Sequence, residues 1–481
     1  MFDWLRQLGR RKVRSQANVI GGMRFVRGRY DAAATNDDNR RHWASADGLS
    51  ADAAANPMVR RTLRNRARYE VANNSYARGI ILTLANDVIG TGPRLQMLLG
   101  DEENDGVNAL IEQEFAAWAK AVDLPGKLRT MRMARAQDGE AFAMLSSNPL
   151  LASPVQLNLV PLEADRITNP MAVVATPTQI DGIVYDAHGN AVEYQVLDYH
   201  PGDVYFKVAL KYTSVPAAAM LHWYRADRPG QRRGVPDITP ALPLFAQLRR
   251  FTLAVLDAAE SAADFAGILY TDSPANGEAE AIEPMDSIEL ERRMLVTMPG
   301  GWKMGQIEAQ QPTTTYGEFK REILNEIARC LNMPYNIAAC NSSSYNYSSG
   351  RLDHQTYYKA IRVEQAHLEA VILDHILDAW LAEAVKVYPE LAGLEEWPHQ
   401  WFWDGHEHVD PEKEANAQTT RLTNLTTTLA TEYARQGKDW ETELRQRAKE
   451  MTLMKELGLT MAQAMPQRDK PQDQQDKATS G

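Results

Sequence analysis

Cysteine is nearly absent from this sequence of 481 residues, which contains only Cys330 and Cys340. Disulfide bonds therefore do not hold the fold together, and the composition suits a reducing compartment. No apolar run approaches the roughly 18–20 residues that a membrane-spanning helix needs, so the sequence predicts no membrane contact. The basic segment from Arg6 to Lys12 is not followed by the apolar stretch of a signal peptide.

Familiar catalytic motifs are missing as well. The sequence contains neither a G-x-x-x-x-G-K-[S/T] phosphate loop, nor a G-x-S-x-G nucleophile turn, nor an H-E-x-x-H zinc helix. The densest polar cluster consists of Asp404, His406, Glu407, His408 and Asp410. Their spacing matches no common coordination geometry, so a solvated turn is the favoured interpretation and a metal site the alternative. The sequence therefore predicts no catalytic residue, no metal and no cofactor.

Charge is unevenly distributed along the chain. The formal net charge is -11, yet residues 1–68 sum to +9 and the remaining residues to -20. A solvated basic arm that leads into a basic first helix is the favoured interpretation, and contact with a nucleic acid or an acidic partner is the alternative. The acidic remainder argues against ordinary tight DNA binding, because such binding depends on neutralising phosphates.

The spacing of apolar residues predicts an α+β fold without internal repeats. One helix is predicted to run from Pro57 toward Ala85, and an amphipathic helix spans Asp105 to Val122. Strands dominate the following region. The predicted strands are Val155–Val160, Ile180–Tyr185, Val192–Tyr199 and Ala219–Tyr224, with a hairpin turn at 186–190.

Two carboxylates stand close together before an apolar strand predicted at Ala141–Leu145. They are Asp138 and Glu140, and Gly139 separates them. A pair of carboxylates suits general acid–base chemistry. A glycine between them is more typical of a turn or a helix end, so a structural role is the favoured interpretation.

Two helices enclose a short β region in the middle of the chain. Thr239-Pro240 predicts the start of a helix that continues to Phe265, and the capping box Thr315-x-x-Glu318 predicts a second helix that ends near Leu331. Between them, strands Met294–Met298 and Trp302–Ile307 are predicted around a Pro-Gly-Gly turn. In the first helix, three acidic residues fall at spacings of three and four and share one face: Asp257, Glu260 and Asp264.

An uncharged, polar loop follows the second helix. Its residues are Asn341, Ser342, Ser343, Ser344, Tyr345, Asn346, Tyr347, Ser348 and Ser349, and Arg351 comes two positions later. Such a composition predicts an exposed, mobile loop, after which a long helix begins at Leu352. A neutral loop between rigid helices suits a surface past which a charged molecule slides. The alternative is that the two tyrosines pack against the neighbouring helices and fix the turn.

Several short segments together resemble the lambda-like family of tailed-phage portal proteins. The matching segments are Arg60–Arg68, Asn86–Gly92, Asp138-Gly139-Glu140, Asp181-Gly182-Ile183, His200-Pro201-Gly202, His222–Arg225, Arg228–Pro236, Asn346-Tyr347-Ser348-Ser349-x-Arg351 and Asp410-Pro411-x-Lys413-Glu414-Ala415. Each segment is a weak signal by itself, but their order along roughly residues 25–430 makes the resemblance specific.

The resemblance implies a portal fold with a wing, a two-helix stem, a small clip, a tunnel loop and a crown. The implied division is: basic, partly disordered arm 1–55; α/β wing 56–236; stem helix 237–266; β clip 267–312; second stem helix 313–333; tunnel loop 334–350; long helix 351–390; wing return 391–430; helical crown and disordered tail 431–481.

The resemblance also implies a function and a set of partners. Portal proteins form a homo-oligomeric ring, a dodecamer in assembled capsids, at one vertex of a phage head. Double-stranded DNA passes through the channel without sequence specificity, and the terminase large subunit, the major capsid and scaffold proteins and a head-tail completion protein bind the ring. The protein would lie in the virion, and in the host cytoplasm during assembly.

Candidate site residues follow from this interpretation. The polar loop 341–349 with Arg351 would line the channel, as would the acidic face formed by Asp257, Glu260 and Asp264. Acidic residues of the clip would dock partners: Glu278, Glu280, Glu283, Asp286, Glu289 and Glu291. Two alternatives remain, a metal-dependent DNA-processing enzyme that uses the cluster at 404–410 and a non-catalytic monomeric adaptor.

Overall fold

Most of the described residues belong to helices, and short antiparallel strands lie between these helices along the chain. The computed structural model describes residues 37, 39–100, 105–169, 176, 178–203, 211–264, 268–271, 302–305, 315–343, 345–405 and 411–459. Met1–Ser50 forms one unit and Ala51–Gly481 a second, much larger one. Most of the predicted basic arm and the end of the predicted tail lie outside the described residues.

The helices have the following bounds. They are α1 Ala51–Ala54, α2 Pro57–Asn73, α3 Ser75–Ile89, α4 Asp105–Ala121, α5 Leu124–Asp138, α6 Leu242–Asp264, α7 Thr315–Arg329, α8 Tyr335–Ala338, α9 Tyr347–Leu368, α10 Asp374–Val387, α11 Pro411–Thr423, α12 Leu429–Arg435 and α13 Trp440–Glu456. A π-helical segment, Glu369–Leu373, joins α9 to α10. Short 3-10 turns lie at Ala164–Arg166, Ala217–Ala219, Thr239–Ala241 and Pro389–Leu391.

The described strands form four small antiparallel sheets. The strands are β1 Arg94–Met97, β2 Glu140–Ser147, β3 Leu157–Leu162, β4 Gln179–Ile180, β5 Ile183–Tyr185, β6 Ala191–Leu197, β7 Tyr212–Pro216, β8 Met220–Tyr224, β9 Ile268–Thr271, β10 Trp302–Gly305 and β11 His399–Phe402. The sheet orders are β3-β2-β8, β4-β5-β6-β7, β1-β11 and β9-β10. The mixed α+β class is therefore confirmed, and the hairpin predicted at 186–190 connects β5 to β6 through hydrogen bonds between Asp186 and Asn190.

The first predicted helix is in fact two helices. Asn74 adopts an extended conformation, with φ of -121° and ψ of 115°, and ends α2. Its side chain then accepts hydrogen bonds from the backbone N–H groups of Tyr76 and Ala77, so it also begins α3. One asparagine thus caps both helices, and the prediction of an unbroken helix from Pro57 was wrong.

Aromatic side chains fill the centre of the main core. The ring of Phe115 lies 5.2 Å from that of Trp118, 5.4 Å from that of Trp380 and 5.7 Å from that of Trp401. The indole N–H of Trp118 donates to the backbone oxygen of Leu157 at 2.8 Å, so burial leaves this polar group satisfied. The core therefore joins α4, α10 and β11, which are up to about 290 residues apart in sequence.

Helix α5 was missed by the sequence analysis because its buried face is charged. Arg132, Arg135 and Asp138 are all buried, in a helix whose other buried positions are apolar. A periodicity that counts only apolar residues cannot detect such a face. The helix ends where Gly139 adopts a left-handed conformation with φ of 92°.

Candidate functional site

The two helices in the middle of the chain pack against each other through aromatic side chains. The ring of Phe251 on α6 lies 4.7 Å from that of Phe319 and 5.8 Å from that of Tyr316 on α7. The Tyr316 hydroxyl also donates to Thr252 Oγ1 at 3.2 Å. The helices predicted at 239–265 and 315–331 are thus confirmed, and they pack together. Helix α6 begins three residues later than predicted, after the 3-10 turn Thr239–Ala241, and α7 ends two residues earlier.

A two-stranded sheet of described residues lies between the helices of this pair along the chain. Strand β10 pairs with β9, and Trp302 lies opposite Thr271. The strand predicted at Trp302–Ile307 is thus confirmed over Trp302–Gly305, whereas Met294–Met298 lie outside the described residues, so the hairpin between the two stays a prediction. Aromatic and β-branched side chains at 268–271 make this segment a strong strand partner. The six candidate docking acids, at positions 278–291, also lie outside the described residues.

Exposed acidic side chains lie along both helices of the pair. Asp257 and Glu260 are exposed on α6, and the side chain of Asp264 lies outside the described residues. On α7, Glu318, Glu322 and Glu326 are exposed at successive intervals of four residues. Four residues correspond to about one helical turn, so the three glutamates form one stripe. This stripe was not predicted, although the spacing of its glutamates in the sequence is a signal for it.

The polar loop is shorter than predicted, because helices occupy both of its ends. Helix α8 lies within the predicted segment 334–350, and α9 begins at Tyr347 instead of Leu352. Asn346 is the reason, because its side-chain oxygen accepts from the backbone N–H of Ser349 at 2.9 Å. Ser348, Ser349 and Arg351 consequently belong to the helix, which corrects their assignment to the loop.

The remaining loop contains local turns. The backbone N–H of Ser343 donates to the side chain of Asn341 at 3.0 Å, and the N–H of Tyr345 donates to the carbonyl of Ser342 at 3.1 Å. The Tyr345 hydroxyl donates to Asp353 of α9 at 3.3 Å, a contact of the kind expected if this tyrosine fixes the turn. Ser344 and the side chains of Tyr347 and Ser348 lie outside the described residues.

A buried network of charges connects α2, β2 and the following loops. The Arg233 guanidinium bonds to Glu140, with Nη2 and Oε1 2.6 Å apart, and to Asp181 at 3.1 Å. Arg64 bonds to Asp165 at 2.8 Å and to Glu140 at 3.4 Å. Burial alone would raise the pKa of Glu140, but the charge of Arg233 and the hydrogen bonds hold it well below the usual value.

The carboxylates at 138 and 140 flank the helix end predicted there, and both also belong to this network, which was not predicted. Asp138 accepts two hydrogen bonds from Arg68, at 2.7 and 2.9 Å. Gly139 must lack a side chain here, because an added Cβ would lie 2.5 Å from the carbonyl carbon of Val235. Both carboxylates thus bind arginines inside the protein, and neither is placed for acid–base chemistry on a substrate.

Asp404, the described member of the predicted polar cluster, has a structural role. Its carboxylate accepts from the backbone N–H and the hydroxyl of Thr91, at 2.5 and 2.7 Å, and from Arg94 at 3.0 Å. It therefore ties β11 to the turn that follows α3. The other members, from His406 to Asp410, lie outside the described residues.

One group of described residues combines metal-ligand types at close range. His200 Nε2 lies 3.0 Å from Glu163 Oε2 and 3.6 Å from Asp165 Oδ2. However, His200 Nδ1 accepts from the backbone N–H of Gly202 at 3.0 Å, so the neutral ring carries its proton on Nε2. Arg68 already pairs with both carboxylates, at 3.4 and 2.8 Å. This geometry fits an ion-pair network better than a metal site.

The remaining sequence candidates do not form a reactive centre among the described residues. Cys330 is half-buried, and burial raises the pKa of its thiol to about 11, so it is a poor nucleophile. Cys340 is exposed in the turn after α8. Within the described residues, no helix combines the length and the apolar character that crossing a membrane requires.

Comparison with known proteins finds a family and a relative that match most of this chain. The family model described as phage portal protein, lambda family, matches residues 37–365. A "Probable portal protein" of Halomonas phage phiHAP-1 is 24% identical over 426 residues, which cover 83% of this chain and 81% of that protein.

Solved structures that match most of the chain come from gene transfer agent particles. A chain from the neck of an empty particle, computed with C6 symmetry, is 12% identical with a TM-score of 0.48, covering 79% of this chain and 94% of that one. A chain from the neck of a native particle, computed with C12 symmetry, is 13% identical with a TM-score of 0.47 over 79% and 94%. The family match spans more than half of the sequence, and the chain therefore belongs to the lambda family of phage portal proteins.

Proposed function

We propose that this protein forms a ring at one vertex of a phage capsid, through which double-stranded DNA is packaged and ejected. The observation that carries the proposal is the family match over residues 37–365, which includes the helix pair α6–α7 and most of α9. No catalytic centre is needed for this role, because a separate terminase supplies the motor. The ring is a homo-oligomer, and a dodecamer is the expected form.

In this proposal, α6 and α7 form the stem that surrounds the channel. Asp257 and Glu260 are exposed on α6, and Glu318, Glu322 and Glu326 are exposed on α7. Acidic groups repel DNA phosphates, whereas lysine or arginine contacts would release counterions and hold the duplex in place. An acidic stem would therefore keep DNA mobile, with no preference for sequence.

The polar loop between α8 and α9 would narrow the channel. Its described residues Asn341, Ser342, Ser343 and Asn346 carry no formal charge and are accompanied by Tyr345. Hydroxyl and amide groups can contact phosphates through short-lived hydrogen bonds without the electrostatic attraction of a cation. With Ser344 and the first turn of α9, which begins at Tyr347, they would form the tunnel loop.

The region between β9 and β10 would bind other proteins of the virion. It contains the acidic residues at positions 278–291, and β9 and β10 connect it to the stem pair. The terminase large subunit would dock there during packaging, and the head-tail completion protein afterwards. The wing and the crown would contact the capsid and scaffold proteins.

Negative-stain microscopy and light scattering of the purified protein test the ring directly. We expect a ring with a central hole and a mass of about twelve chains, because portal rings are closed by head-to-tail contacts. A protein that stays monomeric across concentration and salt, or after mixing with the scaffold protein, would overturn the proposal and favour the adaptor. Nuclease activity that depends on added metal would instead favour the DNA-processing enzyme.

A further inference from the structure

The exposed face of α9 is basic and apolar. Arg351, Lys359 and Arg362 are exposed on it, and so are Leu352 and Val363, whose side chains are both 66% exposed. These five positions lie within about 120° of one another around the helix, because a residue advances the helix by roughly 100°. The opposite face contains the buried Tyr357, Ile361 and Leu368.

The exposed face of α7 has the opposite charge. It carries Glu318, Glu322 and Glu326 together with one exposed cation, Arg329, which donates to the side chain of Asn332 at 3.0 Å. Phe319 beside them packs on Phe251 of α6 and is still 46% exposed. Among the described residues, the ion pair recorded for these glutamates is a loose one of 3.5 Å between Glu322 and its neighbour Arg321. Their charges are therefore available to a partner outside the chain.

Both faces lie near the short helix α8. Helix α8 packs against α7, and its residue Asn336 lies 2.8 Å from His354 of α9. Glu326 is about 5 Å along α7 from the end that precedes α8, and Lys359 is about 8 Å along α9 from His354. The acidic and the basic faces therefore each begin within about 8 Å, along their own helices, of the residues that adjoin α8.

A closed ring needs two different surfaces that complement each other at one level. Rotation about the ring axis moves no atom along that axis, so contacting groups of neighbouring copies must share the same height. Opposite charges on two separate helices allow such a head-to-tail contact, because the acidic face of one copy can meet the basic face of the next. Apolar side chains within both faces, Phe319 on α7 and Leu352 and Val363 on α9, favour a protein partner over DNA phosphates.

We propose that the acidic face of α7 in one copy binds the basic and apolar face of α9 in the next copy. This inference rests on the proposed ring and adds the surfaces that close it. The expected electrostatic pairs are Glu322 and Glu326 with Lys359 and Arg362. Such rim and interface charges mainly set which surfaces meet and how fast they associate.

Charge reversal on one face at a time tests the proposal. The first variant is Glu322→Lys with Glu326→Lys, and the second is Lys359→Glu with Arg362→Glu. Each variant alone brings like charges together, so we expect the protein concentration needed for ring assembly to rise roughly tenfold or more. Analytical ultracentrifugation gives this concentration, and urea unfolding of the monomers checks that each variant is folded.

An equimolar mixture of the two variants is the decisive measurement. In the mixture, the lysines on α7 of one variant can face the glutamates on α9 of the other, while the original charges pair at the alternate contacts. We therefore expect rings that contain both variants in alternation. Two folded variants that stay apart when mixed, or that assemble alone like the wild type, would overturn the inference.

A matched control and a milder variant make the result specific. Glu395→Lys with Glu396→Lys changes the same charge at exposed positions between α10 and β11, and it should leave assembly unchanged. Glu322→Gln with Glu326→Gln removes charge without reversing it, and added salt should then weaken ring assembly less in this variant than in the wild type.

If Lys359→Glu with Arg362→Glu kept its rings but lost affinity for duplex DNA, the basic face would bind nucleic acid and not the next copy. If the wild type formed no ring at all, the proposed function itself would fail.

Discussion

Charged residues have two different environments in the region around β2, the proposed wing, and in the helix pair α6–α7, the proposed stem. Around β2, Glu140 and Arg233 are buried and bond to each other and to further partners. On α6 and α7, Asp257, Glu318 and Glu326 are exposed to solvent. The buried charges hold distant segments together, whereas the exposed charges contribute little to the fold.

Buried and exposed ion pairs contribute by different amounts to the free energy of unfolding. A charge in the interior loses its hydration, and removing its partner leaves that loss uncompensated. An exposed pair keeps most of its hydration and is screened by salt, so it contributes at most about 1 kcal/mol. Substitutions in the wing should therefore affect stability, and substitutions on the stem should affect assembly or DNA passage.

Glu140→Gln should have the largest effect on stability. The substitution removes the carboxylate that accepts from Arg233 at 2.6 and 2.8 Å, and it leaves the buried guanidinium without its main partner. We expect the free energy of unfolding to fall by about 3–5 kcal/mol, measured by urea unfolding at fixed protein concentration.

The matched control is Glu443→Gln, which removes an exposed partner of Lys438 at 3.5 Å. That change should cost less than about 1 kcal/mol. Equal losses in the two variants would show that burial does not distinguish the two kinds of charge.

Reversing the charge of the proposed stem should make the ring retain duplex DNA and leave the fold intact. The variant is Asp257→Lys with Glu260→Lys and Asp264→Lys, on a face where the first two side chains are exposed. A ring of lysines would bind phosphates and release counterions, so rings should retain duplex DNA that the wild type releases. Retention by filter binding should decrease as salt rises, because the added attraction is screened.

The Glu395→Lys and Glu396→Lys variant is again a control, since its lysines lie outside the stem. Rings of the stem variant that release DNA as fast as the wild type at low salt would place this face away from the channel.

The helix pair α6–α7 could be predicted from the sequence and the buried network could not, because such predictions depend on patterns among neighbouring residues. Helices α6 and α7 have local signals, namely a proline or capping box at the start and an apolar stripe along the face. The pairs of Arg64 with Asp165 and of Arg233 with Glu140 join residues 101 and 93 positions apart. No local pattern specifies such partners, so they become visible only once the fold brings them together.

Single capping residues explain the errors in element boundaries. Asn74 divides one apolar pattern into two helices, and Asn346 begins α9 five residues earlier than the apolar pattern indicated. An asparagine can cap a helix, form a turn or stay solvated, and the neighbouring sequence does not decide among these roles.

Shortening the uncharged loop tests whether the channel needs a neutral region beside the acidic stem. Deletion of Ser342–Ser344 removes residues between α8 and α9 without touching the main core. We expect folded rings that let packaged DNA slip back, measured as loss of nuclease-protected DNA after packaging. Substituting the three serines by alanine keeps the loop length, so retained DNA in that variant would assign the effect to steric narrowing. A deletion that prevents assembly would instead support the role of Tyr345 in fixing the turn.

The smallest expected effect concerns the pH dependence of the wing. The His222 ring is stacked between Phe142 and Tyr224, with centroids 4.2 and 4.4 Å away, and its Nε2 lies 3.1 Å from Glu140. Burial lowers the pKa of His222 more than Glu140 raises it. The unfolded chain therefore binds a proton more readily than the folded one, so stability is complete above the usual histidine pKa and decreases as pH falls toward the folded pKa.

His222→Asn keeps a hydrogen-bond donor for Glu140 and removes the titration of this side chain. Between pH 7.5 and 5.5, we expect the variant to lose less stability than the wild type, by at most about 1.4 kcal/mol per pH unit. The charge of Arg233 holds the pKa of Glu140 well below its usual value, so this carboxylate contributes little to the difference. Identical slopes in urea unfolding would show that His222 takes up no proton on unfolding in this range.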